Sequence, residues 1–301
     1  IDPGQWASAP YTMGPDSNNG LFYRTSKLEL LGSWFWLPPD NLRYVNVYRL
    51  RPIGYTNTEF RLYSLHLKAG NTSGDEARRL TDAISIRDSM NHVPPGTHAI
   101  LTGDFNVYKG NDASLVRFSL DMPDSNSGRL YDPLNLLGPI SWQDNAGIAL
   151  YHTQCPSTTA YRPSGSYSGG GIDDRFDLFL PTYNWNDGEG LDLVPATYAT
   201  VGNDGLHMNK SVTEAPIAPA DTAYARALWW ASDHMPVRTD IQLPAKISVA
   251  GGPVAFGSVI VGATAGSDVQ VSNPATAPAD ELSYTLVAPV GFTVPRGPFA
   301  S

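Results

Sequence analysis

The sequence contains one cysteine, Cys155, among 301 residues. A single thiol cannot form a disulfide within the chain, so the hydrophobic core must hold the fold together. Hydrophobic residues make up 42% of the chain and charged residues 16%, a balance that supports a large core and excludes an intrinsically disordered chain. The composition fits one large domain and one small one.

Basic residues are scarce as well. The chain has 20 Lys and Arg against 29 Asp and Glu, a net charge of -9, so no overall positive field attracts nucleic acid or an anionic membrane. A substrate that carries phosphate must instead be bound locally, by a few arginines and a divalent cation. This argues against tight, processive DNA binding but does not exclude a nuclease.

Long apolar runs are missing. The segment at residues 30–37 is interrupted by Gly32 and Ser33, well short of the roughly 20 residues that cross a bilayer, so we expect no transmembrane segment. Few lysines and many Gly, Thr, Ser and Asn favour a secreted or cell-surface bacterial protein. Because Ile1 is not an initiator Met and Ser301 stops inside a strand-like pattern, we expect both ends to be cut and any signal peptide to lie outside the sequence.

The order of the predicted elements indicates an α/β domain. A capping pattern at Ser73 and Glu76 predicts a helix that runs to about Met90, because apolar residues then recur at helical spacing. Strands are predicted on both sides of this helix, and later strands complete the sheets. The predicted strands are residues 20–31, 44–51, 59–67, 99–101, 147–151, 175–180 and 236–243.

The amino-acid composition changes near residues 243–246, after which few charged residues occur. Apolar residues in the tail stand two apart with turn residues between them, as in β-sandwiches. The segment at 256–273 resembles bacterial immunoglobulin-like modules. We therefore predict an α/β domain at 1–243 and a partial all-β immunoglobulin-like sandwich at 247–301, with an unidentified partner.

Two predicted strands end in polar side chains. His66 stands at the end of a strand in which polar and apolar residues alternate. A second strand delivers Asp104 and Asn106 to one side while Phe105 points back to the core. A carboxylate and an amide at this spacing can orient a water molecule and hold a phosphate oxygen. The alternatives without a catalytic role are that His66 is merely exposed and that Asp104 and Asn106 form an ordinary Asx turn.

Later segments supply two more acids and a second histidine. Asp177 shares a strand face with Arg175, either as a structural ion pair or as the carboxylate that orients a catalytic histidine. Asp233 and His234 are adjacent, so their side chains point apart on an extended chain. Asp233 could then bind a metal ion while His234 faces a substrate phosphate.

In this order the segments resemble the motifs of the endonuclease/exonuclease/phosphatase superfamily, which includes deoxyribonuclease I, exonuclease III and the neutral sphingomyelinases. The resemblance covers residues 17–243. It implies a four-layered α/β sandwich of two packed mixed sheets flanked by helices, and P–O bond cleavage with Mg²⁺, for which Mn²⁺ or Ca²⁺ could substitute. The matching segments are Leu65-His66-Leu67, Gly103-Asp104-Phe105-Asn106, Arg175-Phe176-Asp177 and Ser232-Asp233-His234.

The resemblance also implies catalytic roles for the matching residues. His66 and His234 match the paired catalytic histidines, and Asp177 matches the carboxylate that bonds to the second of them. Asp104 and Asn106 match the pair that orients water and phosphate. The implied catalytic set is therefore His66, Asp104, Asn106, Asp177 and His234.

Metal and phosphate ligands are only partly matched. Asp233 matches the metal-side acid, and Arg51, preferred over Arg49, is the predicted phosphate-binding arginine. The family's first strand with a metal-site Asn, and the following helix and strand that end in Gln-Glu, are missing before Ser17. We therefore expect a domain truncated at its N-terminus that binds metal poorly as it stands.

These observations favour a secreted Mg²⁺-dependent phosphodiesterase with nucleic acid as the first substrate choice. A sphingomyelinase-like phospholipid phosphodiesterase is the alternative within the same chemistry, because residues 34–37 and 229–230 could form an aromatic surface that contacts a membrane. The alternative that is not an enzyme is a catalytically silent module that binds to a surface.

The tail supports a first test. Because its pattern is that of a spacer or interaction module, a complete enzyme cut before Lys246 should keep its turnover number on a phosphodiester substrate. Circular dichroism of the shortened chain is the control for folding. A folded, shortened enzyme without turnover would refute this prediction.

Overall fold

The computed structural model describes residues 4–123, 125–160, 168–217 and 221–300. The chain forms two compact units, one of Ile1–Trp185 with Pro195–Thr239 and one of Asn186–Val194 with Asp240–Ser301. Compactness does not establish independent folding, so the domain limits at 1–243 and 247–301 stay a prediction. No helix among the described residues is long and apolar enough to cross a membrane.

A five-stranded mixed sheet forms the centre of the first unit. Its order is β3-β4-β5-β6-β7, and all neighbours are antiparallel except β5 and β6, which are parallel. A separate antiparallel pair, β1 with β2, precedes it. The strands are β1 (Trp6–Ser8), β2 (Phe22–Arg24), β3 (Leu28–Trp36), β4 (Val45–Pro52), β5 (Phe60–His66), β6 (His98–Asp104) and β7 (Asp177–Pro181).

Two helices follow β5 and β6 in the chain. Helix α1 (Ser73–Asn91) connects the two parallel strands, and helix α2 (Ala113–Ser119) follows β6. The capping box of α1 uses Thr72 and Asp75, one residue earlier than predicted. Alternate strand residues and one face of each helix meet in a buried core, as a period of two requires. It includes Val45, Val47, Tyr63, Leu65, Ala83, Ile86, Met90, Ala99, Leu101, Leu115, Phe118, Leu178 and Leu180.

The remaining elements correct several predictions. Strand β8 (Asp192–Thr200), helix α3 (Thr222–Ala231) and strand β9 (Val237–Gln242) complete this part of the chain, and β8 pairs with β9. Neither β8 nor α3 was among the elements predicted from the sequence. The described residues thus show a mixed sheet with helices, and not the full four-layered sandwich that the resemblance implies.

Two predicted strands are wrong in extent or type. The segment 20–31 divides because the amide of Lys27 donates to the carbonyl of Arg24 and forms a turn between β2 and β3. The segment 147–151 belongs to a 3₁₀ helix, Ala146–Tyr151. The side chain of Asn145 caps it by accepting the amide of Gly147, an interaction that favours a helical turn over a strand.

The second unit has short strands. Strand β10 (Ser248–Ala250) pairs with β11 (Gln270–Ser272), and β12 (Ser283–Tyr284) pairs with β13 (Phe299–Ala300). Many apolar side chains stay exposed, including Ile260 and Val287, so the tail alternation does not produce a closed core. The predicted immunoglobulin-like sandwich is not seen among the residues described in this unit.

A buried ion pair connects the start of β7 to the loop after α2. Both terminal guanidinium nitrogens of Arg175 donate to the carboxylate of Asp132, at 2.7 and 2.8 Å, and neither side chain is exposed. Asp132 also accepts the amides of Leu134 and Leu136, which satisfies its remaining lone pairs. The sequence allowed an ion pair between Arg175 and Asp177, but Arg175 pairs with Asp132 instead.

Removing one member of this pair tests its contribution to the fold. Arg175→Ala should lower the free energy of unfolding by about 3–5 kcal/mol, because it leaves a buried carboxylate unpaired. Urea denaturation measures the change. The matched control is Arg49→Ala, which breaks a pair with Glu59 whose side chains are 40% and 39% exposed and should cost at most about 1 kcal/mol. Equal losses in the two variants would contradict this assignment.

Candidate active site

Three neighbouring strands bring polar side chains to one edge of the sheet. His66 ends β5 and Asp104 ends β6, and the two residues are in register as parallel neighbours. Asp177 begins β7 and stands opposite Asp104 in the antiparallel pairing. Because residues in register project to the same face, strand pairing alone gathers these three side chains.

Gly103 permits the close approach of β6 to β5. Its φ is +132°, and a Cβ atom at this position would lie 2.0 Å from the carbonyl oxygen of Leu65. Any other residue would push the strands apart one position before Asp104. The glycine in the Gly103-Asp104-Phe105-Asn106 segment is therefore required by packing.

His234 completes a cluster of two imidazoles and two carboxylates, called the four-residue cluster below. Its Nδ1 lies 2.7 Å from Oδ2 of Asp177, so the contact expected from the sequence is present. Oδ2 of Asp104 lies 3.2 Å from Nε2 of His66 and 3.8 Å from Nε2 of His234. One carboxylate oxygen thus has an imidazole on each side.

Thr153 connects the backbone on which His234 and Asp177 stand. Its hydroxyl accepts the amides of Phe176 and Asp177, and its carbonyl accepts the amide of Met235. The next residue, Gln154, places its amide group 2.8 Å from Nε2 of His234. Neither residue was predicted from the sequence, since neither stands in a recognisable motif.

Asn106 lies beside the cluster but is already hydrogen-bonded. Its φ is +51°, its backbone amide donates to Asp104 Oδ1 at 2.9 Å, and its side-chain amide donates to the carbonyl of Leu67 at 3.2 Å. The Asx turn considered from the sequence is therefore present. It holds the carboxylate of Asp104 in place, whereas a phosphate contact by Asn106 stays a prediction.

Arg51 is not placed with the cluster, which corrects its choice as the phosphate-binding arginine. Strand β4 runs antiparallel to β5, so its last residues lie at the opposite end of the sheet from His66, and Arg51 pairs with Glu29 there. Arg43, just before β4, is the arginine at the correct edge. It donates to the carbonyl of Leu67 at 3.0 Å.

The two histidines have opposite electrostatic surroundings. Burial, together with the charges of Arg43 and His234, lowers the pKa of His66 to about 4. Burial also disfavours the charged form of His234, but the hydrogen bond and charge of Asp177, with Asp104 and Asp233, raise its pKa to about 9. At neutral pH His66 is neutral and His234 is an imidazolium. Burial raises the pKa of Asp104 between them.

The described carboxylates do not fit a magnesium site. Asp233, the predicted metal ligand, accepts the backbone amide of Ser168 at 2.8 Å, while Asp104 faces the two histidines. Magnesium in proteins is usually held by one or two carboxylates that point at the ion, and water molecules complete its octahedral shell. Within the described ranges, no group of three or more His, Cys, Asp or Glu side chains is arranged to hold a metal ion.

Comparisons with known proteins give structural matches alone. No protein-family model and no curated sequence matches the chain. The structure is similar to an endonuclease/exonuclease/phosphatase family protein from Bacteroides thetaiotaomicron, with 17% identity and a TM-score of 0.46 over 79% of this chain and 73% of that one. A mannosyl-6-phosphatase from the same organism matches with 17% identity and a TM-score of 0.46 over 79% and 77%.

A third similar structure is D. rerio TDP2 complexed with a single-strand DNA product. It has 13% identity and a TM-score of 0.48, over 79% of this chain and 77% of that chain. Identities and TM-scores at these levels do not assign an activity to this chain.

Replacing Asp177 by Asn tests the electrostatics of the cluster. The substitution removes the negative charge that favours the imidazolium, so the pKa of His234 should fall by about 1–3 pH units. An NMR titration of the histidine ring signals measures it. The control is Asp121→Asn, which alters an exposed carboxylate paired with Arg129. An unchanged His234 pKa in the Asp177 variant would refute the proposed pairing.

Proposed function

We propose that this chain hydrolyses phosphodiester bonds, with nucleic acid as the favoured substrate. The observation that carries the proposal is the four-residue cluster, in which strand pairing and Thr153 bring together residues from four distant segments. A neutral and a charged imidazole on either side of one carboxylate supply the donors and acceptors that phosphoryl transfer needs. Arg43 adds positive charge at the same edge.

Hydrolysis at this cluster would use Asp104 and His234 directly. The carboxylate of Asp104 positions a water molecule and accepts its proton as the new P–O bond forms. The imidazolium of His234 donates a hydrogen bond to the phosphate oxygens as charge develops and the bond to the leaving oxygen breaks. His66 donates its Nε2–H to Asp104, and Asp177 fixes the orientation of His234.

No step of this proposal passes through a metal ion, because the described carboxylates do not fit one. The resemblance nonetheless associates Mg²⁺, or Mn²⁺ or Ca²⁺, with this type of chemistry. Activity should therefore be measured both with added Mg²⁺ and with a chelator.

A sphingomyelinase-like activity remains the second candidate, for a specific reason. Trp34 and Phe35 are 38% and 45% exposed on β3, one of the two edge strands of the described five-stranded sheet, and Trp230 is 50% exposed. Exposed aromatic side chains of this kind can enter the interfacial region of a membrane. We propose a secreted or cell-surface setting for either activity, on the basis of composition.

Histidine variants test the proposed activity. On plasmid DNA and on bis(p-nitrophenyl) phosphate, His234→Ala should lower kcat about 10²–10³-fold, because it removes the donor to the developing oxyanion. Asp177→Asn should lower kcat far more than it changes KM. His92→Ala, which alters an exposed histidine at the end of α1, is the matched control and should leave the rate unchanged.

The same assay separates the candidates. Sphingomyelin liposomes should be hydrolysed more slowly than DNA if the leading proposal holds, and faster if the second one does. Equal rates for the His234 and His92 variants would remove the cluster from catalysis. No turnover on any substrate, with and without Mg²⁺, would favour the silent binding module.

A further inference from the structure

Ser17 contacts the ring nitrogen of His66, Nδ1, that the hydrolysis proposed above does not use. Its Oγ lies 2.9 Å from Nδ1 of His66, while Nε2 on the other side of the ring lies 3.2 Å from Asp104. The imidazole of His66 thus contacts a hydroxyl through one ring nitrogen and a carboxylate through the other. This is the arrangement of an activated nucleophile, its general base and the group that orients the base, with the ring nitrogens used in the reverse of the usual order.

The hydrogen bonds determine the tautomer that this role requires. If Nε2 carries the proton, it donates to the carboxylate of Asp104, and Nδ1 is left as an acceptor for the hydroxyl of Ser17. A carboxylate at Nε2 favours this tautomer over the other. The lone pair on Nδ1 is therefore directed at the Ser17 proton. Because the pKa of His66 is about 4, this nitrogen is unprotonated at neutral pH, and the imidazole is a weaker base than an unperturbed histidine.

The loop that carries Ser17 is fastened on both sides. On one side Asp16 binds Arg43 at 2.7 Å, and Arg43 in turn donates to the carbonyl of Leu67. On the other side the Asn19 amide donates to the carbonyls of Tyr44 at 2.8 Å and Ser64 at 3.2 Å. A nucleophile fixed to the edge of the same sheet as its base loses little entropy when it reacts.

We propose that Ser17 is a base-activated nucleophile toward phosphorus esters, with His66 as its base and Asp104 as the residue that orients the base. The Ser17 oxygen forms a bond to phosphorus, its proton passes to Nδ1 of His66, and the bond from phosphorus to the leaving group breaks. Arg43 supplies positive charge for the phosphoryl oxygens beside this position. The product is a phosphoryl ester of Ser17 and the free leaving group.

A fluorophosphonate probe tests this directly. The Ser17–P bond forms, the P–F bond breaks, fluoride leaves and His66 receives the proton, so no further reactant is needed. In the folded chain, peptide mass spectrometry should locate the adduct on Ser17. Ser17→Ala should abolish that adduct, and His66→Gln should slow its formation about 10²-fold or more, because the general base is lost.

Controls keep the outcome clear. Ser73→Ala, which alters an exposed serine at the start of α1, should label at the wild-type rate. Wild-type chain unfolded in urea should not label at Ser17, which separates activation by the fold from intrinsic reactivity. If His66→Gln proves unfolded by circular dichroism, Asp104→Asn takes its place and should also slow labelling.

Two outcomes would overturn the proposal: no adduct on Ser17 in the folded chain, or equal labelling rates at Ser17 in the wild type and a folded base variant. The test is independent of the proposed hydrolysis, because it measures a covalent adduct and not turnover. A chain that labels at Ser17 but hydrolyses no phosphodiester would keep this inference and lose the proposed function.

Discussion

The parallel pairing of β5 with β6 is the constraint on which the candidate site depends. It places the last residues of the two strands side by side, so His66 and Asp104 meet without any help from loops. Gly103 lets the two strands approach closely, since a residue with a Cβ atom would collide with the Leu65 carbonyl. Strand β7 then adds Asp177 through its register with β6, and the remaining members are attached to this frame.

Opposite electrostatic conditions within a few ångströms are the second property of the site. His66 is kept neutral by burial and by neighbouring positive charge, whereas His234 is kept charged by three carboxylates, chiefly that of Asp177, which outweigh its burial. A pair of like groups whose pKa values are driven apart can take complementary roles in one reaction. The two pKa values depend on the whole cluster, since the charge of His234 lowers the pKa of His66, and His66 in turn contacts Asp104.

The sequence predicted the parts of this site that lie at strand ends. His66, Asp104 and Asp177 could be expected to meet because alternation reveals strands and the motif order reveals which strand ends carry polar groups. Arg51 was misplaced because the direction of β4 relative to β5 leaves no trace in alternation. Arg43, Gln154 and Ser17 escaped prediction because their contacts depend on how loops distant in sequence fold back, which no local pattern encodes.

Thr153 has a consequence for how variants of this protein would be interpreted. Its hydroxyl accepts amides at the start of the strand of Asp177 and its carbonyl accepts an amide in the segment of His234, so one buried residue sets the separation of His234 from the carboxylate that orients it. In a survey that scores every substitution for loss of function, Thr153 would be grouped with the chemically active residues. Its sensitivity would report the spacing between His234 and Asp177 and not a part in the reaction itself.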